Sequence, residues 1–157
     1  MAFSYQKSVA LENKKAIAGD RANNQVAIYA PTNFTTAAAV KVGGFVWRDT
    51  TNPETQVKAS TSGSGAPLGF MERVQNFPNY NISTEGTLEI PAGCEVNVAV
   101  KGDFFVVADG AVDVGDKVYA VPATGAVSFT STDNIDSGFV AFTSASASGE
   151  LVIITKR

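Results

Sequence analysis

From about Ala37 onward the chain is a succession of short apolar stretches separated by glycine, proline and small polar residues. "VKVGGFVW" (Val40–Trp47) alternates and then becomes continuously apolar around Gly43-Gly44, which predicts a strand with a bulge or kink. After the polar loop "TSGSGAP" (Thr61–Pro67), "GFMERV" (Gly69–Val74) restarts a strand. In "GTLEIPAG", Leu88 and Ile90 share one face, and Pro91-Ala92-Gly93 turns the chain. "EVNVAV" then sets Val96, Val98 and Val100 on one face, with Glu95, Asn97 and Ala99 on the other. Lys101-Gly102-Asp103 reads as a tight hairpin leading into Phe104–Val107. Strands at Lys117–Val121 and Ala126–Phe129 flank "PATG", where Gly125 supplies a left-handed turn residue. "SGFVAFTS" and "GELVIIT", joined by "ASAS", close the chain.

Short strands spaced by about ten residues, with glycine-rich turns, define an all-β domain. The expected architecture over residues 37–157 is an antiparallel β-sandwich, jelly-roll-like, or a small barrel. "AGCEVNVAV" and "VGDKVYAV" look alike through shared hairpin grammar, not through a solenoid repeat. Residues 1–36 lack these hairpin signals and read as an N-terminal arm; "SVALENKKAIAG" fits either two helical turns ending at Gly19 or extended chain. Two runs, Phe104-Phe105-Val106-Val107 and Leu151-Val152-Ile153-Ile154, do not alternate at all. A strand with one wet face should alternate, so both faces are expected to be covered, the second by a neighbouring subunit or by the arm.

Composition sharpens this picture. The 157 residues are 45% apolar and 17% charged, a low charge fraction that suits a β-protein hiding surface in an assembly. The length fits one domain with a real core. Net charge is −3, which argues against free nucleic acid as a partner. The charge is unevenly placed: through Arg48 there are six basic and two acidic residues, and from Asp49 six basic and thirteen acidic. A basic N-terminal segment on an acidic body is expected to lie against an acidic surface, its own or a neighbour's. No apolar run approaches the ~20 residues needed to cross a bilayer, and the N-terminus carries no secretory h-region. A chain made in the cytosol is therefore expected, and the sequons at Asn33 and Asn81 then carry no meaning.

The candidate chemistry is thin. "GAVDVGDK" (Gly110–Lys117) has the glycine spacing of a phosphate-binding loop, but Asp116 stands where the lysine should be. Asp109 and Asp113 would repel phosphate further, and a strand comes next where a helix should begin, so this is a turn. Asp109, Asp113 and Asp116 lack the ligand ladder of a calcium loop and leave at most a weak surface site. Ser4-Tyr5-Gln6-Lys7 matches a serine–lysine pattern without its companion motifs, and Glu85 with Glu89 would not face one cleft from opposite sides. There is no histidine, and Cys94 is alone, a small residue expected to be buried. Enzyme is the least favoured class, and no cofactor is implied. A carbohydrate-binding β-module, such as part of a fibre, is the alternative, with Trp47, Phe77, Tyr80 and Tyr119 as stacking residues and "NFPNYN" (Asn76–Asn81) as its loop.

The order of "KKAIAGDRANN", "VKVGGFVWRD", "APLGFMERVQN", "LEIPAGCEVNVAVKGDFFVV", "VDVGDKVYAVPATGAVSF" and "SGFVAFTSASASGELVIIT" resembles the structural cement, or capsid decoration, proteins of tailed bacteriophages, from about Lys15 to Thr155. The resemblance implies a β-rich virion protein on the outside of the head, stitching adjacent major capsid protein subunits, with no catalytic residues. A homo-oligomer is expected, trimer over dimer, with one of the apolar runs at the contact. The interface candidates are the basic Lys14, Lys15 and Arg21 of the arm, Phe104, Phe105 and Val107 of one run, and Leu151 and Ile153 of the other. The arm is expected to order along a neighbour, and a chain starting near Val26 to keep its β-domain.

Overall fold

The computed structural model describes residues 16–74, 81–82 and 88–157. Fourteen strands run in order: β1 (Ile28–Tyr29), β2 (Phe34–Thr36), β3 (Val40–Lys41), β4 (Phe45–Arg48), β5 (Gln56–Lys58), β6 (Gly69–Phe70), β7 (Asn81–Ile82), β8 (Leu88–Ile90), β9 (Glu95–Val96), β10 (Ala99–Val107), β11 (Lys117–Ala120), β12 (Val127–Ser128), β13 (Ile135–Ala141) and β14 (Leu151–Lys156). The described residues contain no helix, so the all-β class holds. Eleven strands form one mixed sheet in the order β12-β11-β13-β14-β10-β6-β4-β5-β2-β9, with β1 also on β10. A small sheet, β3-β8-β7, stands apart from it. The large sheet does not close into a barrel, and the architecture is sandwich-like.

Two apolar cores explain the packing. The first gathers Phe45, Phe70, Phe104 and Phe139 with Val106, Val152 and Ile154. Its rings interlock, Phe70 stacking on Phe104 at 4.8 Å between centroids and meeting Phe45 edge-on at 5.5 Å. The second holds Phe34, Val40, Val46, Val57, Met71, Ile90, Val96 and Val98. Strand β4 is the wall between them, sending Phe45 and Trp47 into the first core and Val46 into the second. The consecutive pairs Phe70-Met71 and Val98-Ala99 divide in the same way. This is why "FVW" does not alternate: both faces are covered, and by the same chain.

Several local expectations change for physical reasons. Gly43-Gly44 is more than a kink, because it separates β3 in the small sheet from β4 in the large one, with Gly43 at φ +81. Ala99 does not join a polar face; it is fully buried in the first core because the chain there passes between the two. Lys101-Gly102-Asp103 makes no hairpin. Strand β10 runs straight through it, and a β-carbon at Gly102 would lie 2.9 Å from the Phe104 ring and 3.2 Å from Ala27. The glycine is there to let an aromatic ring lie over bare backbone. Gly125 does turn the chain as expected, at φ +70, and its carbonyl accepts the Phe45 N–H at 2.7 Å.

Of the expected arm, Lys14 and Lys15 lie outside the described residues, and the chain beyond Ala16 is paired into the sheet. The Gly19 N–H donates to Phe105 O at 2.8 Å, Phe105 N–H to Asp20 O at 2.8 Å, and Ala22 N–H to Asp103 O at 2.9 Å. On the opposite side, Arg73 N–H donates to Gly19 O at 2.8 Å. Residues 17–22 thus form a strap between β10 and the chain leaving β6. Gly19 permits it, because a β-carbon there would lie 2.8 Å from Val42 and φ is +92. Farther on, β1 pairs with β10 and β2 with both β5 and β9. Pairing is continuous across residue 36. A chain cut at Val26 would lose the partners of Asp103, Phe105 and Arg73.

Candidate docking surface

The surface of interest is the outer face of β10 and β14. Their antiparallel register places Phe104 opposite Ile154 and Val106 opposite Val152, with Phe105 opposite Ile153 and Val107 opposite Leu151. Directly opposed residues share a face. The first two pairs are fully buried in the first core. The second two point outward: Phe105, Leu151 and Ile153 are half-buried, and Val107 is 45% exposed. Strand β13 extends this face. Phe139 and Ala141 turn into the core while Val140 is 38% and Phe142 59% exposed, and Phe142 N–H donates to Ile153 O at 2.7 Å.

Of the sequence candidates, Phe105, Val107, Leu151 and Ile153 therefore come together on one face. Phe104 is at the opposite face with no exposed area. Val140 and Phe142 escaped notice, although "FVAF" (Phe139–Phe142) is a third run without alternation and carried the same signal.

The strap borders this face and is held by ionic contacts as well as backbone bonds. Arg21 donates to Glu72 Oε1 through Nε (3.1 Å) and Nη2 (2.8 Å), and Nη2 also reaches Tyr29 Oη at 2.6 Å. Tyr29 in turn donates to Glu72 Oε2 at 2.5 Å. Burial, and then the hydrogen bond to Glu72, pushes the Tyr29 phenol up to about 12. Arg73 pairs with Asp20 at 3.0 Å. Arg21 is thus paired within its own chain, with its side chain 35% exposed. At the other end of the strap the buried Asp103 carboxylate accepts from Asn23 at 2.6 Å and Thr155 at 2.5 Å, and pairs with Arg157 at 3.1 Å. A buried carboxylate with this many donors is satisfied, so it is structural.

The remaining candidates resolve one by one. Gly110–Lys117 is a turn: Asp116 N–H donates to Asp113 O, Asp113 N–H returns to Asp116 Oδ2, and Gly115 sits at φ +94 before β11 starts. No group of three or more metal-ligating side chains is assembled among the described residues. Trp47, a stacking candidate for a glycan, is 5% exposed with its indole N–H on Gly65 O at 2.9 Å, so its ring is a core ring. Tyr119 is half-buried on β11, while Phe77, Tyr80 and Glu85 lie outside the described residues. Glu89 is on β8, and Cys94 is half-buried against the second core.

The described residues thus set a largely apolar sheet face on the outside of an all-β fold. Comparison with known proteins says what such a fold belongs to. A model of the structural cement protein family (E217 gp24/Pam3 gp6) matches residues 5–156, and the chain belongs to that family. The fold is similar to a chain in the solved capsid of Myoviridae phage XM1, at a TM-score of 0.69 and 16% identity over 98% of this chain and 97% of that one. No match was found among curated proteins. The protein is accordingly a structural protein of a bacteriophage virion, associated with its capsid.

Proposed function

We propose that this protein binds the outer surface of a tailed-phage head and bridges adjacent major capsid protein subunits as a homo-oligomer, with a trimer favoured over a dimer. The observation that carries the reading is the apolar outer face of a strand pair whose inner face is fully buried: Val107, Val140 and Phe142 are exposed there beside the half-buried Phe105, Leu151 and Ile153. Apolar sheet surface of this kind is stabilised by being covered, and a neighbouring copy would cover it. A bridge that touches several subunits gains avidity without any single strong contact. Lys14 and Lys15, in the basic segment before the strap, are the candidates for contact with the capsid. The role asks for no cofactor, nucleic acid or membrane. The glycan-binding alternative loses support, since Trp47 is in the core.

The test uses filled heads lacking the protein. Such heads should assemble and then lose DNA more readily on heating, and adding the protein back should restore them. A Val107→Asp, Ile153→Asp chain should stay folded, fail to self-associate and bind the heads at least tenfold more weakly, a change of about 1.4 kcal/mol. Heads that never assemble without the protein would make it a coat or scaffold component. Binding of the variant as tight as that of the original chain would remove the outer face from the contact.

A further inference from the structure

Where β10 ends, a groove of about 470 Å³ opens, lined by Ile17, Val42, Leu88, Val107 and Val127, with Lys41 also in its wall. Two of its walls are bare, since Ile17 is half exposed and Val107 nearly so. Strand β12, which carries Val127, is the terminal strand of the large sheet, so a sheet edge also borders the groove. The strap decides what can reach it. Arg21 stands opposite Phe104 in antiparallel register, so the chain traced backward from Arg21 runs along β10 toward Val107. Ile17 and Ala18 then form a wall of the groove themselves. Ala16, the first described residue, comes directly before the groove wall at Ile17, and fifteen residues precede it in the chain. Extended, they span about 50 Å, much more than the groove requires.

Those residues carry Phe3, Tyr5, Val9 and Leu11, the last two spaced to share one face of an extended chain, and they carry Lys7, Lys14 and Lys15 against Glu12. The chain that leaves β10 beyond Val107 is acidic, with Asp109, Asp113 and Asp116 in succession and Glu150 O accepting the Ala108 N–H at 2.9 Å. Asp109, Asp113, Asp116 and Glu150 are all exposed, and none is in an ion pair among the described residues. We propose that the N-terminal segment docks in the groove of its own chain, with Val9 and Leu11 against Ile17, Leu88, Val107 and Val127, and with Lys14 and Lys15 facing Asp109 and the turn after it. Apolar burial supplies the attraction and the lysines supply the direction. The segment is then stowed on the protein's own surface, and a capsid seam must compete with the groove for it. Docking of this kind is a property of the free chain and does not depend on the capsid reading.

Two measurements on the free, full-length chain test it. The unmodified protein, mixed in equal parts with an isotope-labelled copy, is treated with a carbodiimide, and the joined peptides are mapped by mass spectrometry. Lys14 or Lys15 should join to Asp109 or Asp113 within one chain, and raising the salt from ~20 mM to ~1 M should cut the yield about tenfold. A Leu11→Cys, Val127→Cys chain in a Cys94→Ser background should oxidise to a monomeric disulfide. Links between labelled and unlabelled chains would overturn the proposal in favour of exchange between copies. Absence of both the intrachain links and the disulfide would overturn it outright. If the cysteine variant does not fold, the carbodiimide map of the unmodified chain decides alone.

Discussion

The strap at residues 17–22 and the outer face of β10 and β14 exchange roles between sequence and structure. The strap carries no strand periodicity and has Asp20 and Arg21 at its middle, yet it is bonded on both edges, to Asp103 and Phe105 on one side and Arg73 on the other. The apolar strands promise cover on both faces, yet Val107, Val140 and Phe142 remain bare. A segment can be fixed by its backbone donors and acceptors while its side chains say nothing. A strand can be apolar on both faces and still leave one of them open. Backbone bonding is invisible to hydropathy, and hydropathy does not distinguish cover by the same chain from cover by another.

The strap side of this contrast breaks most visibly by deletion. A chain beginning at Val26 loses a paired element from inside the sheet, and it should show no cooperative thermal transition by circular dichroism. A chain beginning at Ala16 should keep one. Equal melting of the two would mean that the strap's hydrogen bonds contribute nothing.

The two faces of β10 can be separated by single substitutions. Phe104→Ala removes the ring stacked on Phe70 in the aromatic cluster and should cost about 3–5 kcal/mol in urea unfolding. Val107→Ser, three residues away on the bare face, should cost under ~1 kcal/mol in the isolated chain while weakening self-association. A comparable loss at the two positions would erase the distinction between inner and outer faces.

Glycines give a smaller and cleaner comparison. At Gly125 a β-carbon would lie 2.1 Å from Phe45 O, and φ is +70, so Gly125→Ala should cost on the order of 3 kcal/mol. Gly115 has φ +94 but open space around it, and alanine there should cost about 1 kcal/mol. Chemical denaturation of the two variants side by side checks the ratio.

A last effect is confined to alkaline solution. The Tyr29 phenol has a pKa of 10.0 when free and about 12 in the fold, so the folded state holds its proton more tightly. Its contribution is complete below pH 10 and is lost as pH rises through about 12. Tyr29→Phe should flatten that limb of the stability–pH curve. An unchanged limb would place the loss on another group.

Most of the strand-forming stretches were legible, because β8, β11, β13 and β14 each carry a hydropathy pattern bounded by turn residues. Four of the outward docking candidates were legible too, through the runs that fail to alternate. The features that escaped were tertiary. Gly102 carries the signature of a hairpin and serves as a seat for the Phe104 ring, a role set by a residue two positions away on the same strand. Val98-Ala99 looked half polar because nothing local records that the chain passes between two cores there. Phe104 was grouped with its neighbours in the run, since a continuous run gives no phase from which to tell inside from outside.

The register of the strap, β10 and β14 also has a mechanical meaning. Both the strap and β14 run antiparallel to β10, so Ala16 and Lys156 leave this three-stranded ribbon at opposite ends. Tension applied between the two termini acts along the strands, across hydrogen bonds that lie perpendicular to the pull. Six opposed residue pairs between β10 and β14 then share the load and must yield together, where a peeling geometry would open them singly. A protein pulled between its ends in this way resists as a lap joint does, and single-molecule stretching should find one high rupture force in place of a staircase of small ones.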